Sequence, residues 1–153
     1  VYSGSKKLTD KDKNMSADIG KLLLSPTRTY APVIKKIIEK IGVKNINGII
    51  HCSGGAQTKV LHFIDNIHII KDNMFDLPPL FKLIQQESGT SWEEMYKVFN
   101  MGHRMELYVN EQIANDIINI SKSFNVDAKI IGRVENAEDK KLTINSEFGE
   151  YIY

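Results

Sequence analysis

A short apolar run that stops at two adjacent glycines is the feature that most limits what this chain can fold into. Residues 49–52 are mostly apolar and too few for a helix, and Gly54-Gly55 ends the run before a helix-compatible segment over 57–64. Strand, glycine turn and helix are therefore predicted in that order. Backbone N–H groups at such a turn can approach an anion closely, so a phosphate site and a turn without any ligand are the two interpretations.

The same turn contains His51, the strongest candidate for a catalytic residue. His51 stands at its start and can serve as a general acid or base or as a donor to phosphate, and a buried, merely hydrogen-bonded histidine is the alternative. Cys52 follows directly, and neighbours on a strand point to opposite faces, so we expect a packed thiol rather than a nucleophile activated by His51. Neither the P-loop lysine nor the third glycine of a dinucleotide motif is present.

The spacing of apolar residues along the rest of the chain predicts an α+β fold. Helices are predicted over 29–41, 80–87, 92–99 and 113–120, and strands over 67–70, 105–109, 128–134 and 142–144. This order mixes strand–helix–strand units with strand pairs, which is typical of helices covering a mixed sheet. Residues 1–19 are polar and lack a sustained apolar period, so we expect a linker or mobile arm there and a domain over 20–153.

Charge and cysteine content narrow the possible partners. The chain has 20 Lys+Arg against 19 Asp+Glu, a net charge of +1, which argues against a nucleic-acid binder. One cysteine permits no internal disulfide and fits a cytoplasmic location, and no apolar run approaches the ~20 residues that cross a membrane. His62 and His68 fall on different predicted elements, so we expect no metal site.

Two more polar clusters have both a structural and a functional interpretation. The segment 25–30, SPTRTY, can cap the following helix, and its Arg28 can also bind phosphate. The segment 99–105, FNMGHRM, joins a helix to a strand and holds an amide, an imidazole and a guanidinium close together. Its structural interpretation is an ordinary turn in which Gly102 adopts a positive φ.

These motifs, together with LPPLFKLIQ between them, resemble the carboxy-terminal domain of the aminoimidazole ribonucleotide synthetase (phosphoribosylformylglycinamidine cyclo-ligase) family over residues 20–134. The resemblance implies a three-layer α/β/α sandwich with a mixed sheet and partial ferredoxin-like topology. It also implies a homodimeric, two-domain enzyme whose amino-terminal domain, without a counterpart here, holds most of the ATP and Mg2+ site.

The implied reaction is the ATP-dependent conversion of formylglycinamidine ribonucleotide to aminoimidazole ribonucleotide in purine biosynthesis. This part of the enzyme alone is expected to be unable to catalyse it. In that reading His51 is catalytic, acting on the activated amide of the substrate. The implied substrate- and phosphate-binding residues are Thr27, Arg28, Ser53, Gly54, Gly55, Asn100 and Gly102.

The chain departs from the family pattern at two places. Ala56 stands where the family has a third glycine, and His103-Arg104 replaces the region of a second glycine in the other turn. Arg104 is expected to add charge facing the cleft. A non-catalytic nucleotide-binding module and a sister enzyme such as selenophosphate synthetase are the alternative functions, and the Phe99–Gly102 turn favours the cyclo-ligase over the sister enzyme.

Overall fold

The computed structural model describes residues 4–11, 16–26 and 28–153. The α-helices are α1 (Ile19–Leu23), α2 (Ala31–Ile41), α3 (Pro79–Ser88), α4 (Trp92–Val98) and α5 (Glu111–Lys122). The strands are β1 (Ile46–His51), β2 (Ile67–Lys71), β3 (Met105–Val109), β4 (Gly132–Asn136), β5 (Lys141–Ser146) and β6 (Gly149–Ile152). Two 3-10 helices, Val43–Asn45 and Ala56–His62, flank β1.

The strands of the described residues form two sheets. β1 and β3 pair antiparallel as a two-stranded ribbon in which His51 lies opposite Met105 and Ile50 lies opposite Glu106. The other four strands run in the order β4-β2-β5-β6, with β2 and β5 parallel and the remaining pairs antiparallel. The predicted α+β class is confirmed, and the larger sheet is mixed.

Two apolar clusters lie on opposite faces of the β1–β3 ribbon. On one face α2 and α5 pack against each other and against Leu107 and Val109 of β3, because their apolar residues recur at helical spacing. On the other face Ile50 belongs to a larger cluster with Leu142, Ile144 and residues of α4 and the 56–62 helix. The ribbon therefore packs against an apolar cluster on each face, although Asn47 and Ile49 of β1 remain exposed.

The helix predicted over 57–64 is a 3-10 helix, Ala56–His62. Gly55 enters it at φ +82° and Ala56 continues at φ +41°, both in the left-handed region. The Ala56 N–H donates to Ser53 O at 2.7 Å and the Thr58 N–H to Gly55 O at 2.9 Å, which are three-residue steps. A backbone that leaves the turn this tightly continues with three residues per turn, and this explains the difference.

The last strands differ from the predicted ranges. The strand expected over 128–134 begins only at Gly132, where a side chain would overlap the Ile70 carbonyl oxygen of β2. Close pairing with β2 thus starts at the one residue that permits it, and the apolar residues before it do not join the sheet. The predicted strand 142–144 extends to Lys141–Ser146, and the hairpin partner β6 was not predicted.

The start of the chain contacts the rest of the fold where it is described. Asp18 caps α1 by accepting from the Lys21 N–H at 2.8 Å, and Gly20 N–H donates to Leu8 O at 2.7 Å. Ser5 donates to the Glu87 carboxylate of α3 through its N–H at 2.6 Å and its hydroxyl at 2.7 Å. The interpretation of residues 1–19 as a linker stays a prediction. Among the described residues, no helix is both long and apolar enough to span a bilayer.

Candidate functional site

Alternate residues at the end of the β1–β3 ribbon face different surroundings. His51 and its partner Met105 line a cavity of about 450 Å³ on the face towards the start of α2. Cys52 and Glu106, one residue further along each strand, are buried on the opposite face. The two-residue period of a strand accounts for this separation, and the expectation that Cys52 packs away from His51 is confirmed.

The cavity combines one imidazole, one guanidinium and an apolar wall. His51 is half-buried in it, and Arg28 lies at its exposed edge. The segment 25–30 delivers Arg28 directly before α2, where Tyr30 occupies the cap position without a side-chain capping bond. The other lining residues are Thr29, Tyr30, Ala31, Ile34 and Met105. Thr27, predicted to bind substrate, lies outside the described residues.

The glycine turn continues from His51 away from this cavity's lining. Ser53 is exposed, its N–H donates to His51 O at 2.7 Å, and its hydroxyl accepts from Lys59 Nζ at 2.8 Å. A Cβ at Gly54 would meet nothing within 4 Å, so space rather than crowding surrounds that position. Gly55 needs its φ of +82°, which explains the glycine there. An exposed hydroxyl beside an ammonium group is a suitable surface for an anion.

The second turn, residues 99–105, is held against the first by the buried amide of Gln57 and by one backbone hydrogen bond. Gln57 Nε2 donates to Asn100 O at 2.6 Å and lies 3.4 Å from His103 O. Asn100 Oδ1 accepts from the Gly102 N–H at 3.2 Å, and Gly102 has the predicted positive φ, +122°. Cys52 N–H donates to Arg104 O at 2.7 Å. The two turns are thus joined through Gln57 and Cys52, whereas Gly102 lies against Phe75, Asp76 and Pro78, and neither Asn100 nor Gly102 lines the His51 cavity.

A buried polar cluster lies beneath both turns. Lys71, 1% exposed at the end of β2, donates through Nζ to Glu106 Oε1 at 2.6 Å, to Gln57 O at 2.8 Å and to Gln57 Oε1 at 2.9 Å. Glu106 Oε1 also lies 2.8 Å from His103 Nε2, and Glu106 Oε2 accepts from the Tyr108 hydroxyl at 2.6 Å. All three ammonium donors of Lys71 therefore have a partner, which a buried charge requires.

The cluster shifts the pKa values of its members. Burial alone would raise the pKa of Glu106, but the His103 hydrogen bond and the Lys71 charge outweigh it and bring the pKa to about 2. Burial, followed by the Glu106 charge, raises the pKa of the Cys52 thiol to about 12. The same two causes raise the pKa of Tyr108. At neutral pH the carboxylate is therefore charged and the thiol and the phenol are neutral.

Cys52, His103 and Glu106 place possible metal-ligand atoms within 4.8 Å of one another. The group does not fit Mg2+, which prefers several oxygen ligands and keeps bound water. Its carboxylate oxygen already accepts from the Lys71 ammonium, which supplies the positive charge, and Cys52 is a protonated thiol. The implied Mg2+ therefore has no binding site in this cluster.

Sequence reasoning missed the buried cluster. Glu106 and Tyr108 alternate with apolar residues over 105–109, a pattern typical of a strand with one solvent-facing side, whereas both faces of β3 are covered. Arg104, expected to face the cleft, is half-buried with its Nη1 atom buried, and neither that atom nor His103 Nδ1 has a partner in the described part of the chain. A signal was present in Lys71, a charged residue that directly follows the apolar pair Ile69-Ile70 in the same strand.

The fold and site together define a mixed α+β domain in which the glycine turn and the 99–105 turn lie over the buried Lys71–Glu106 ion pair. The family model described as AIR synthase related protein, C-terminal domain, matches residues 1–145, and the chain belongs to that family.

Curated relatives agree with this family. The chain is 35% identical over 137 residues to a phosphoribosylformylglycinamidine cyclo-ligase of Methanocaldococcus jannaschii, covering 88% of this chain and 38% of the relative. A protein of the same name from Syntrophus aciditrophicus is 33% identical over 145 residues, with 89% and 39% covered. One from Caldicellulosiruptor bescii is 32% identical over 136 residues, with 83% and 37% covered. The chain thus spans under two fifths of the length of these relatives.

Proposed function

We propose that this chain is the carboxy-terminal domain of an ATP-dependent cyclo-ligase that converts formylglycinamidine ribonucleotide to aminoimidazole ribonucleotide. The observation that carries the proposal is that His51 and Arg28 line one cavity at the start of the glycine turn. An imidazole that can exchange protons and a permanently charged guanidinium at one cavity suit a phosphorylated substrate. The relatives, which are cyclo-ligases by name, support the same activity.

In the proposed reaction the amide oxygen of the substrate attacks the γ-phosphorus of ATP and ADP leaves. A nitrogen of the same substrate then attacks the activated carbon, the imidazole ring closes, and phosphate departs. His51 is proposed to donate to, or exchange a proton with, the activated amide, because it is the imidazole that lines the cavity. Most of the rate enhancement comes from positioning and charge stabilisation.

The remaining contacts are assigned by position. Arg28 at the cavity edge is proposed to bind the substrate phosphate, with Thr27 beside it in sequence. Ser53, Gly54 and Gly55 are proposed to line the path of the nucleotide, since Gly54 has open space around it. Asn100 and Gly102 of the other turn are proposed to bind the substrate or its phosphate.

The proposal includes groups outside this chain. As the family resemblance implies, ATP and Mg2+ would be bound mainly by an amino-terminal domain of the whole protein, of which this chain matches under two fifths in the relatives. The domain proper would be residues 20–153, with 1–19 as the linker, in a homodimeric cytoplasmic enzyme. This chain alone is expected to give no ATP-dependent ring closure, because removing several positioning groups together abolishes nearly all catalysis.

The test is the steady-state kinetics of the natural full-length protein and its His51→Ala variant. We expect ATP-dependent formation of aminoimidazole ribonucleotide, and a loss of kcat of about 10²–10⁴-fold in the variant. His62→Ala is the matched control, because His62 is an exposed histidine of the neighbouring 3-10 helix. Unchanged turnover in His51→Ala would remove His51 from the reaction. Nucleotide binding without turnover would favour the non-catalytic module, and turnover of selenide would favour the sister enzyme.

A further inference from the structure

Gln57 is the only side chain among the described residues that hydrogen-bonds across both motif-bearing turns. It is fully buried, and it stands two residues after Gly55, in the first turn of the 56–62 helix. Its Nε2 reaches Asn100 O at 2.6 Å, inside the turn that carries Asn100 and Gly102. The backbone bond from Cys52 N–H to Arg104 O joins the ends of the two turns next to the ribbon, and the Gln57 amide is the side-chain link that reaches Asn100.

Lys71 fixes the orientation of that amide. Its Nζ donates to both the backbone and the side-chain oxygen of Gln57, at 2.8 and 2.9 Å. With Oε1 directed at an ammonium group, the Nε2 end must point towards Asn100, because a rotated amide would set two donors against each other. Glu106 holds Lys71 in turn, at 2.6 Å. We call Gln57, Lys71 and Glu106 the Lys71 clamp.

Stability alone does not account for the clamp. Burying an ammonium and a carboxylate involves a desolvation penalty, and apolar residues of similar size are often as stabilising as a buried ion pair. What apolar residues cannot supply is a directed donor to Gln57 Oε1. The clamp also lies on the face of β1 opposite to His51, so it does not line the cavity.

We propose that Lys71, Gln57 and Glu106 are positioning residues that set the distance between the glycine turn and the Asn100–Gly102 turn for the reaction. This inference rests on the proposed function, because it concerns residues that the proposal assigns to substrate binding. A displacement of about 1 Å in such groups can lower the rate about 10²-fold. The clamp acts only through the two turns and touches no reacting atom.

The test uses the double variant Lys71→Met/Glu106→Leu in the natural full-length protein. Both buried charges are removed together, so no unpaired charge remains and the urea midpoint is expected to fall less than in Lys71→Met, although Gln57, His103 and Tyr108 each lose a hydrogen-bond partner. We expect kcat to fall about 10²-fold with little change in KM, since mispositioned groups weaken transition-state contacts most. Thr143→Val is the matched control: Thr143 is a buried polar residue on β5 that bonds His68, and kcat should not change. A folded double variant with wild-type kcat overturns the inference.

A second readout separates failure of the clamp from failure of the proposed function. Amide NMR spectra of this chain should show the Gly54, Gly55 and Gly102 signals displaced in the double variant and unmoved in Thr143→Val. If the full-length protein has no cyclo-ligase activity, the proposed function fails, and these signals still decide whether the clamp sets the turns. Unmoved glycine signals overturn it.

A single variant covers the case in which the double variant does not fold. Gln57→Glu keeps the acceptor for Lys71 Nζ and removes the donor to Asn100 O. We expect it to displace the Gly102 amide signal and to lower kcat. A folded Gln57→Glu protein with wild-type kcat and unmoved Gly102 contradicts the clamp.

Discussion

The two faces of the β1–β3 ribbon place polar residues in opposite environments. On one face His51 is half-buried at the edge of an open cavity. On the other face Glu106 is 5% exposed, and its carboxylate accepts from Lys71, His103 and Tyr108. Adjacent residues at the end of either strand therefore differ in environment: one faces the open cavity and the next faces the buried polar cluster. The open face suits exchange of protons with a ligand, and the closed face suits fixed geometry.

Lys71→Met should have the largest effect on stability. It leaves the Glu106 carboxylate buried without its ammonium partner, so we expect a loss of about 3–5 kcal/mol in the free energy of unfolding. Urea unfolding followed by circular dichroism measures this. Lys35→Met is the matched control, because Lys35 is exposed and lies 4.0 Å from Glu39, a pair that should contribute under about 1 kcal/mol. Equal losses in the two variants would contradict the closed character of this face.

The pH dependence of stability should report on the same face with a somewhat smaller effect. The pKa of Glu106 is about 2 in the folded protein and 4.5 ordinarily, so its contribution is fully present above pH 4.5 and is lost as the pH falls through 2. This corresponds to a loss on the order of 3 kcal/mol. Urea titrations between pH 5 and 2 should show a steeper decline in the wild type than in Glu106→Gln. Parallel curves would show that Glu106 titrates normally.

On the open face, His51→Ala should leave stability almost unchanged. A half-buried side chain at a cavity edge has few packed neighbours to lose, so we expect a change within about 0.5 kcal/mol. The measurement is the urea midpoint of the variant compared with that of His62→Ala. A large loss would mean that His51 is a packing residue, and the proposed division between the two faces would then be wrong.

Weak anion binding should be the smallest effect and should be confined to the open side. Titration of this chain with inorganic phosphate is expected to shift the amide signals of Gly54 and Gly55 first, near Ser53 and Lys59. Gly89, also at positive φ but at the end of α3, serves as the control signal. Shifts at Gly89 as large as those at the glycine turn would indicate general surface binding.

Local patterns predicted much of the fold, and the reason is physical. The apolar stripe of α2 and the positive φ of Gly102 depend on residues near in sequence, and both predictions are confirmed. The assignment of site residues stays a prediction, because no ligand contact tests it.

The buried cluster could not be found in the same way. Lys71 and Glu106 are 35 residues apart in the sequence. Their ion pair forms because the sheets that contain β2 and β3 pack against each other. A lone acidic residue in an alternating strand indicates a solvent face unless the partner is known. The 3-10 helix after Gly55 was missed for a related reason, since left-handed Ala56 is a non-glycine residue in a conformation that alanine rarely adopts.

That left-handed alanine has an evolutionary consequence. A non-glycine residue in this conformation is disfavoured by about 1 kcal/mol, and burial of one methyl group contributes about 0.8 kcal/mol. Ala56 is 1% exposed at φ +41°, so the two terms nearly cancel. Exchange between alanine and glycine should therefore be almost neutral, and lineages can drift between them at this position without compensating substitutions elsewhere.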